Sequence, residues 1–269
     1  MKLLIMGAGY VGMALLTKLQ NERYDLFITT TKKERVESLR DYGKGVLLLH
    51  PDDEMGFRQL VESCDGAVIL VAPDDPSQYE EVYLNTAKKF VSALKNRRSP
   101  FYLLYTGSTS VCEGASDEWV TEESSLKPKS ENAKILLETE RIYLNSGVDT
   151  CILRLGGIYG PKRDLAQRAR RFSGKEIAGT GDEPTNHIHL NDIVNGIVFC
   201  LDHSLTGVYH LVNDDHRTRK DLYSGLCQSL GIPLPIWNRD RPGRGSGSHK
   251  VSNQKIKEAG FVFTFQGRE

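Results

Sequence analysis

The chain opens KLLIMGAGYVGMALL, in which an apolar strand pattern, Lys2–Met6, runs straight into Gly7, Gly9 and Gly12 and then into a helical pattern. Glycines at this spacing between a strand and a helix impose one local geometry. The first permits a tight turn, the second lets backbone approach a pyrophosphate, and the third lets the helix pack on the strand. The helix start then offers free amides and a partial positive charge to phosphate. GxGxxG alone is a weak signal, because turns use glycine for many reasons, so the surrounding pattern decides.

That pattern is alternation. Lys2–Met6, Leu26–Thr30, Gly45–Leu49, Gly66–Val71 and Phe101–Tyr105 read as strands. Tyr10–Asn21, Lys33–Asp41, Glu54–Cys64 and Pro76–Leu94 read as helices between them, and a helix over Ser130–Asn145 leads to a strand over Thr150–Leu155. Apolar strands and helices in strict turn predict a parallel sheet covered on both faces. Beyond Pro161 the elements shorten and become more polar, with helices at 165–172 and 191–202 and a strand at 207–212. Thr218 and Asp221 form a capping-box-like start, Asp standing in for Glu, for a helix to Leu230. The run NRDRPGRGSGSHK (238–250) predicts a mobile loop. The expected fold is α/β, a Rossmann-type doubly wound parallel sheet with a smaller C-terminal α/β lobe. The dinucleotide-binding domain is placed at 1–160 and the substrate lobe at 161–269, with part of 186–205 packing back on the first domain.

Composition narrows the function. Lys and Arg number 35, as do Asp and Glu, so no global field favours nucleic acid or an anionic membrane, and any anion must be held by a local site. Nucleic-acid binding also lacks an aromatic motif. The five cysteines, Cys64, Cys112, Cys151, Cys200 and Cys227, are spread out without a CxxC pair, which fits thiols in a reducing cytosol rather than disulfides or zinc. The apolar start mimics a signal peptide, but three glycines interrupt it and no small-residue cleavage site follows. No other stretch is long and apolar enough to span a bilayer. A cytoplasmic protein with a small-molecule substrate is expected, and a homodimer is compatible with the chain.

The end of the second strand selects the dinucleotide. NAD sites place Asp or Glu there for the ribose 2′-hydroxyl, a carboxylate that would repel a 2′-phosphate. This chain reads ITTTKKER from Ile28 to Arg35, with Thr30, Thr31 and Lys32 where the carboxylate would fall. Hydroxyls and cations can bind a phosphate dianion through charge-assisted hydrogen bonds, although lysines also open solvated helices. The missing carboxylate favours NADP over NAD. The candidate cofactor contacts are Gly7, Gly9, Tyr10, Val11, Gly12, Thr30, Thr31, Lys32, Ala72 and Gly157.

YTGSTSVCEG (105–114), ILRLGGIYGPKR (152–163) and NHIHLNDIVNGI (186–197) resemble, in order and spacing, segments of the extended short-chain dehydrogenase/reductases, the NAD-dependent epimerase/dehydratase family. The likeness is closer to its atypical bacterial members, described as nucleoside-diphosphate-sugar epimerase-like. It covers nearly the whole chain, and LRxxGIYGP is its most specific piece. The resemblance implies oxidation or reduction at a carbinol carbon. A Tyr would act as general acid/base, a Lys one helical turn on would lower its pKa, and a Ser or Thr would align the substrate oxygen.

Ser108 stands where the resemblance puts the catalytic serine, and Cys112 where the family has Tyr in a VYG triplet. Ser108 could instead cap the loop after the fifth strand. The stretch expected to carry Tyr-x-x-x-Lys reads KPKSENAKILLETE (127–140) and contains no tyrosine. One alignment puts Asn132 and Leu136 at the two positions, the other Ser130 and Lys134. Neither supplies a phenol. Cys112 is a titratable substitute in principle, but a lone cysteine is more often a small buried hydrophobe. Tyr105, Tyr143 and Tyr159 lie at a strand end, late in the helix and within GIYGP. Arg163 and His187 are candidate substrate contacts. His187 and His189 alternate along an extended segment without an evident third metal ligand. Two readings follow: an NADP-dependent oxidoreductase or epimerase/dehydratase with a degenerate catalytic motif, or a non-catalytic NADP(H)-binding regulatory or sensor protein.

Overall fold

The computed structural model describes residues 1–20, 23–95, 97–115, 118–241 and 249–267. Asn21, the expected end of the first helix, and 242–248 of the expected mobile loop lie outside the described residues. In chain order the elements are β1 (Lys2–Met6), α1 (Tyr10–Leu19), β2 (Asp25–Thr30), α2 (Val36–Leu39), β3 (Gly45–Leu48), α3 (Glu54–Ser63), β4 (Gly66–Ile69), α4 (Thr86–Leu94), β5 (Tyr102–Ser108), β6 (Trp119–Val120), α5 (Glu131–Leu144) and β7 (Asp149–Leu155). There follow β8 (Gly157–Tyr159), α6 (Leu165–Phe172), β9 (Glu176–Ala178), β10 (His187–His189), α7 (Leu190–His203), β11 (Gly207–Leu211), α8 (Arg219–Leu230), β12 (Ile236–Asn238), β13 (Lys250–Val251) and α9 (Gln254–Glu258).

Seven strands form one sheet in the order β11-β7-β5-β4-β1-β2-β3. β1 pairs in parallel with both β2 and β4, and β2–β3 and β4–β5 are parallel too. The chain thus winds outward from β1 in one direction, then returns and winds in the other. This is the expected α/β architecture, a Rossmann-type doubly wound sheet with a smaller α/β part. The latter carries short parallel ladders pairing β8 with β10, β9 with β12 and β6 with β13. By contacts the chain divides into two compact units: Met1–Ser108, Ser130–Arg154 and Val194–Tyr209 form the first, and Thr109–Lys129, Leu155–Ile193 and His210–Glu269 the second. Among the described residues no helix is long and apolar enough to cross a membrane.

Burial explains both the regular and the broken elements. Leu3, Leu4, Ile5 and Met6 of β1 and Ala67, Val68 and Ile69 of β4 are all buried, as strands covered on both faces must be. The helix expected over Lys33–Asp41 is instead a 3₁₀ turn (Lys33–Arg35), the one-turn α2, and a second 3₁₀ turn (Arg40–Tyr42). Leu39 is the buried residue of this stretch, and one anchor gives a longer helix little tertiary support. The helix expected over Pro76–Leu94 begins as a 3₁₀ turn and passes through a π-helical segment, Glu80–Asn85, before α4. β5 runs on to Ser108, three residues past the expected strand end, so that residue closes the strand directly ahead of a 3₁₀ turn, Thr109–Cys112.

α5 is a helix of the first unit whose buried residues, Ala133, Leu136, Thr139, Glu140 and Tyr143, recur at helical spacing on one face. Glu140 is the exception in chemistry. Its carboxylate takes Nε of Arg154, on β7, at 3.0 Å and Nη2 at 2.8 Å, with side-chain exposures of 1% and 5% for the acid and the base. Burial pushes Glu140 above the ordinary carboxylate range, while the guanidinium pulls it back down. Arg154→Met should strand the carboxylate and cost about 3–5 kcal/mol, read as a lower denaturant midpoint. Adding Glu140→Leu should recover most of that loss. A double variant as unstable as the single one would show that the stranded charge is not its source.

Candidate functional site

In the first unit the glycine turn separates into two kinds of position. Gly7 has φ +103°, and a Cβ there would come within 2.7 Å of the Leu70 carbonyl oxygen. A Cβ at Gly12 would come within 2.0 Å of the Gly7 oxygen. The chain's own packing demands both. Gly9 is different: its φ of −78° suits any residue, and an added Cβ would meet nothing within 4 Å. Its bareness leaves room for a group to approach the backbone from outside, as a pyrophosphate does in this kind of turn. Gly9 is also the N-cap of α1, brings no side chain to the cap, and precedes a first turn without acidic residues. These features fit the phosphates of a dinucleotide. Tyr10 and Val11, half-buried, open the helix, and exposed Ala72 follows β4.

Gly7, Thr30, Ala72 and Ser108 lie at or just beyond the carboxyl ends of β1, β2, β4 and β5, strands that are contiguous in the sheet. The carboxyl edge of an open parallel sheet, where the strand order reverses, is the usual ligand position of such folds. At the end of β2 the buried Thr30 hydroxyl accepts the Lys32 amide at 3.1 Å and so closes the turn. Thr31 and Lys32 are exposed. Lys32 Nζ meets Asp74 Oδ2, from the segment after β4, at 2.8 Å. This carboxylate was not singled out by sequence; its signal is the acidic pair Asp74–Asp75 just beyond a strand end.

The α5 stretch has other duties. Ser130 is its N-cap and accepts the Ala133 amide at 3.4 Å. Asn132 is exposed on the first turn, Lys134 pairs on the surface with Glu131 at 2.6 Å, and Leu136 is buried. The helix's one tyrosine, Tyr143, packs 4.9 Å (ring centroids) from Tyr105 on β5. Both hydroxyls are buried without a hydrogen-bond partner among the described residues. Burial raises the pKa of each, and for Tyr105 the neighbouring Tyr143, Tyr83, Glu140 and Tyr79 add to it. Neither is a ready acid. Ser108 is half-buried at the end of β5. One residue before it, at Gly107, an added Cβ would lie 2.9 Å from Glu140 Oε1, so the buried ion pair seats directly against this strand end.

The remaining candidates belong to the second unit. Gly157 faces His187 in the β8–β10 ladder, and an added Cβ would lie 2.8 Å from the His187 ring carbon Cδ2. That contact is itself sufficient reason for glycine at 157. Tyr159 packs with Leu165 and Leu222 and sits edge-on to His187 and His189. His189 stacks on Phe265 at 3.7 Å, and its Nδ1 accepts the Asn191 amide at 3.2 Å. Among the described residues no group of three or more His, Cys, Asp or Glu side chains could hold a metal ion. Arg163 is exposed, its amide closing a turn onto the Gly160 carbonyl at 2.9 Å.

Cys112 is fully buried, with Sγ 4.0 Å from Nε2 of equally buried His210. His210 Nδ1 lies 3.1 Å from the Ser252 carbonyl oxygen, so that nitrogen carries the hydrogen and Nε2 is left to face the thiol. Glu122 accepts the His210 amide at 2.7 Å. Cys112 is thus sealed in a polar cluster rather than presented to solvent. Partners 98 and 88 residues apart leave no local pattern by which sequence reasoning could have paired them.

The sequence model of the NAD-dependent epimerase/dehydratase family matches residues 3–213, and the chain belongs to that family. Protein YeeZ of Escherichia coli is 27% identical over 270 residues, spanning 98% of this chain and 96% of that protein. A functionally unknown conserved protein from Silicibacter pomeroyi is 21% identical with a TM-score of 0.77, covering 98% of this chain and 94% of its own. The UDP-glucuronic acid 4-epimerase of Bacillus cereus, in complex with UDP-glucuronic acid and NAD, is 18% identical with a TM-score of 0.79 over 99% of this chain and 96% of its own. The two structural likenesses show the fold.

Burial, followed by the charges of Arg168, Arg217 and Arg219 against the opposing Asp215, holds His187 down to about 4. The folded chain therefore refuses a proton that the unfolded chain accepts below roughly pH 6.5. This contribution to stability is complete above that pH and is lost as pH falls towards 4. Burial shifts His216 and His249 the same way. The denaturant midpoint of wild type should therefore drop between pH 7.5 and pH 5, and His187→Gln should drop less. Parallel curves for the two proteins would show that His187 titrates normally in the fold.

Proposed function

We propose that this member of the NAD-dependent epimerase/dehydratase family binds NADP(H) and acts as an oxidoreductase or epimerase/dehydratase on a carbonyl or sugar-nucleotide-like substrate, without the usual Tyr-x-x-x-Lys pair. The observation that carries the reading is Gly9, bare and facing open space at the start of α1. Gly9 and the first amides of α1 would hold the pyrophosphate, and Thr31 and Lys32 the 2′-phosphate, with Thr30 shaping the turn between them. The absence of a carboxylate at the end of β2 supports NADP over NAD. The bound cofactor would supply or take up hydride. Ser108 would orient the substrate oxygen, and Arg163 and His187 are the substrate contacts proposed in the second unit. The sugar-nucleotide class is supported by the Bacillus cereus relative, which binds UDP-glucuronic acid.

A second reading draws on α5, where Ser130 serves as a cap, Lys134 lies on the surface and Leu136 in the core. A helix so employed suits a protein that senses NADP(H) without turning it over. Cofactor turnover against a panel of carbonyl substrates separates the two.

Fluorescence titration should show wild type binding NADPH more tightly than NADH. Thr30→Asp should reverse or erase that preference by repelling the 2′-phosphate. Gly9→Val, which fills the open space with a branched side chain, should abolish binding of both. A folded Gly9→Val protein with undiminished affinity would remove the cofactor assignment, and equal wild-type affinities would remove the preference.

General acid–base catalysis contributes about a hundred- to ten-thousand-fold, so its loss should slow chemistry far more than it weakens binding. In single-turnover NADPH oxidation with the best substrate found, Asn132→Ala and Lys134→Ala should change little. Ser108→Ala should slow the step. Collapse of the chemical step in either α5 variant, with fold and NADPH affinity kept, would show that this helix still carries the mechanism.

A further inference from the structure

We propose that Asp74 tunes the dinucleotide preference of this chain by competing with the cofactor's 2′-phosphate for Lys32. The inference rests on the reading that Lys32 meets that phosphate. Dinucleotide folds discriminate at the end of β2, where a carboxylate selects the 2′-hydroxyl and cations accommodate the phosphate. Here β2 itself ends in Thr30, Thr31 and Lys32, and the acidic group beside them comes from elsewhere. Asp74, just beyond the end of β4, sets Oδ2 2.8 Å from Lys32 Nζ. Since β4 and β2 both flank β1, the two segments emerge at one carboxyl edge from the strands on either side of it.

The pair is built to exchange. Its side chains are 48% and 77% exposed, so a solute can reach either group. Asp75, by contrast, is committed to structure: its Oδ1 accepts the Ser77 amide at 2.8 Å and the Ser77 hydroxyl at 2.5 Å, shaping the turn that carries Asp74. On the other side the Lys32 amide is held by the Thr30 hydroxyl at 3.1 Å. Backbone on both sides is fixed while the two charged ends remain in water. A 2′-phosphate must displace Asp74 from Lys32 and then tolerate a carboxylate close by, whereas a 2′-hydroxyl meets neither obstacle. Asp74 therefore weakens NADPH binding selectively and narrows the gap between the two cofactors.

The test is a double-mutant cycle of Asp74→Asn and Lys32→Ala, with NADPH and NADH affinities measured by fluorescence titration at low salt. Asp74→Asn should tighten NADPH binding by up to about fivefold, the ceiling for an exposed ion pair, while NADH affinity moves by less than about twofold. The NADPH gain should shrink in the Lys32→Ala background and shrink again as salt screens the charges. Unchanged or weaker NADPH binding in Asp74→Asn overturns the proposal. So does weaker NADH binding, which would make Asp74 an acceptor for the ribose hydroxyls. An equal gain in both backgrounds would mean simple repulsion and also overturns competition for Lys32. If Lys32→Ala leaves NADPH affinity unchanged, the underlying 2′-phosphate reading fails. If Lys32→Ala weakens NADPH but Asp74→Asn does nothing, only the role of Asp74 fails.

Discussion

The close seat of α1 on β1 is the constraint from which the first unit's geometry follows. Gly12 approaches the Gly7 carbonyl so nearly that a Cβ at 12 would lie 2.0 Å from that oxygen. No side chain fits in that space. The helix is thereby pinned at the centre of a sheet whose strands run outward from β1 in both directions. Its N-terminus falls at the reversal of strand order, where phosphate gains most from unpaired amides and the helix dipole. The ends of β2, β4 and β5 then bring Lys32, Ala72 and Ser108 to the same edge, because parallel strands in register finish together.

What sequence reasoning could see was what repeats locally. Alternating apolar strands and helices, and three glycines at a turn, are patterns within a short window, and from them the doubly wound sheet was legible, with β1 exact and the ends of β4 and β5 off by two and three residues. Broken elements were harder. The stretch after β2 has helical composition, but with Leu39 as its buried anchor it settles into short 3₁₀ and α turns. Ser108, expected beyond the strand as a substrate contact or a loop cap, instead ends β5, which runs three residues further than its apolar pattern. Pairings across long separations left no trace at all. Lys32 with Asp74, His210 with Glu122 and Glu140 with Arg154 depend on which elements the fold makes neighbours.

Glu140 gives α5 a part in holding the first unit together. A buried carboxylate is tolerated when geometry and pairing offset its desolvation, and Arg154 supplies both through a forked contact. The pair ties α5 to β7 and rests against Gly107, one residue before the candidate Ser108. Four and eight residues N-terminal to Glu140, Leu136 faces the core and Asn132 faces water. α5 is thus anchored by Glu140, while neither Asn132 and Leu136 nor Ser130 and Lys134, the two pairs the alignments offer, brings a phenol to the helix.

In the proposed function, cofactor binding and catalysis rest on different parts of the chain's chemistry. The proposed cradle is made of backbone: two glycines enforced by packing, a third left bare, and the start of α1. Such a site persists as long as the fold does, since its donors belong to the main chain. A proton relay is made of side chains and disappears with one substitution at no cost to the sheet. Tyr105 and Tyr143 cannot refill it from within, because desolvation raises their hydroxyls and the packing that does so also keeps them from any substrate. If the chain turns over substrate, its acid must be a group that reaches solvent, or water itself. The proposed cofactor site and the proposed chemistry therefore stand or fall separately, the first on the main chain and the second on side chains.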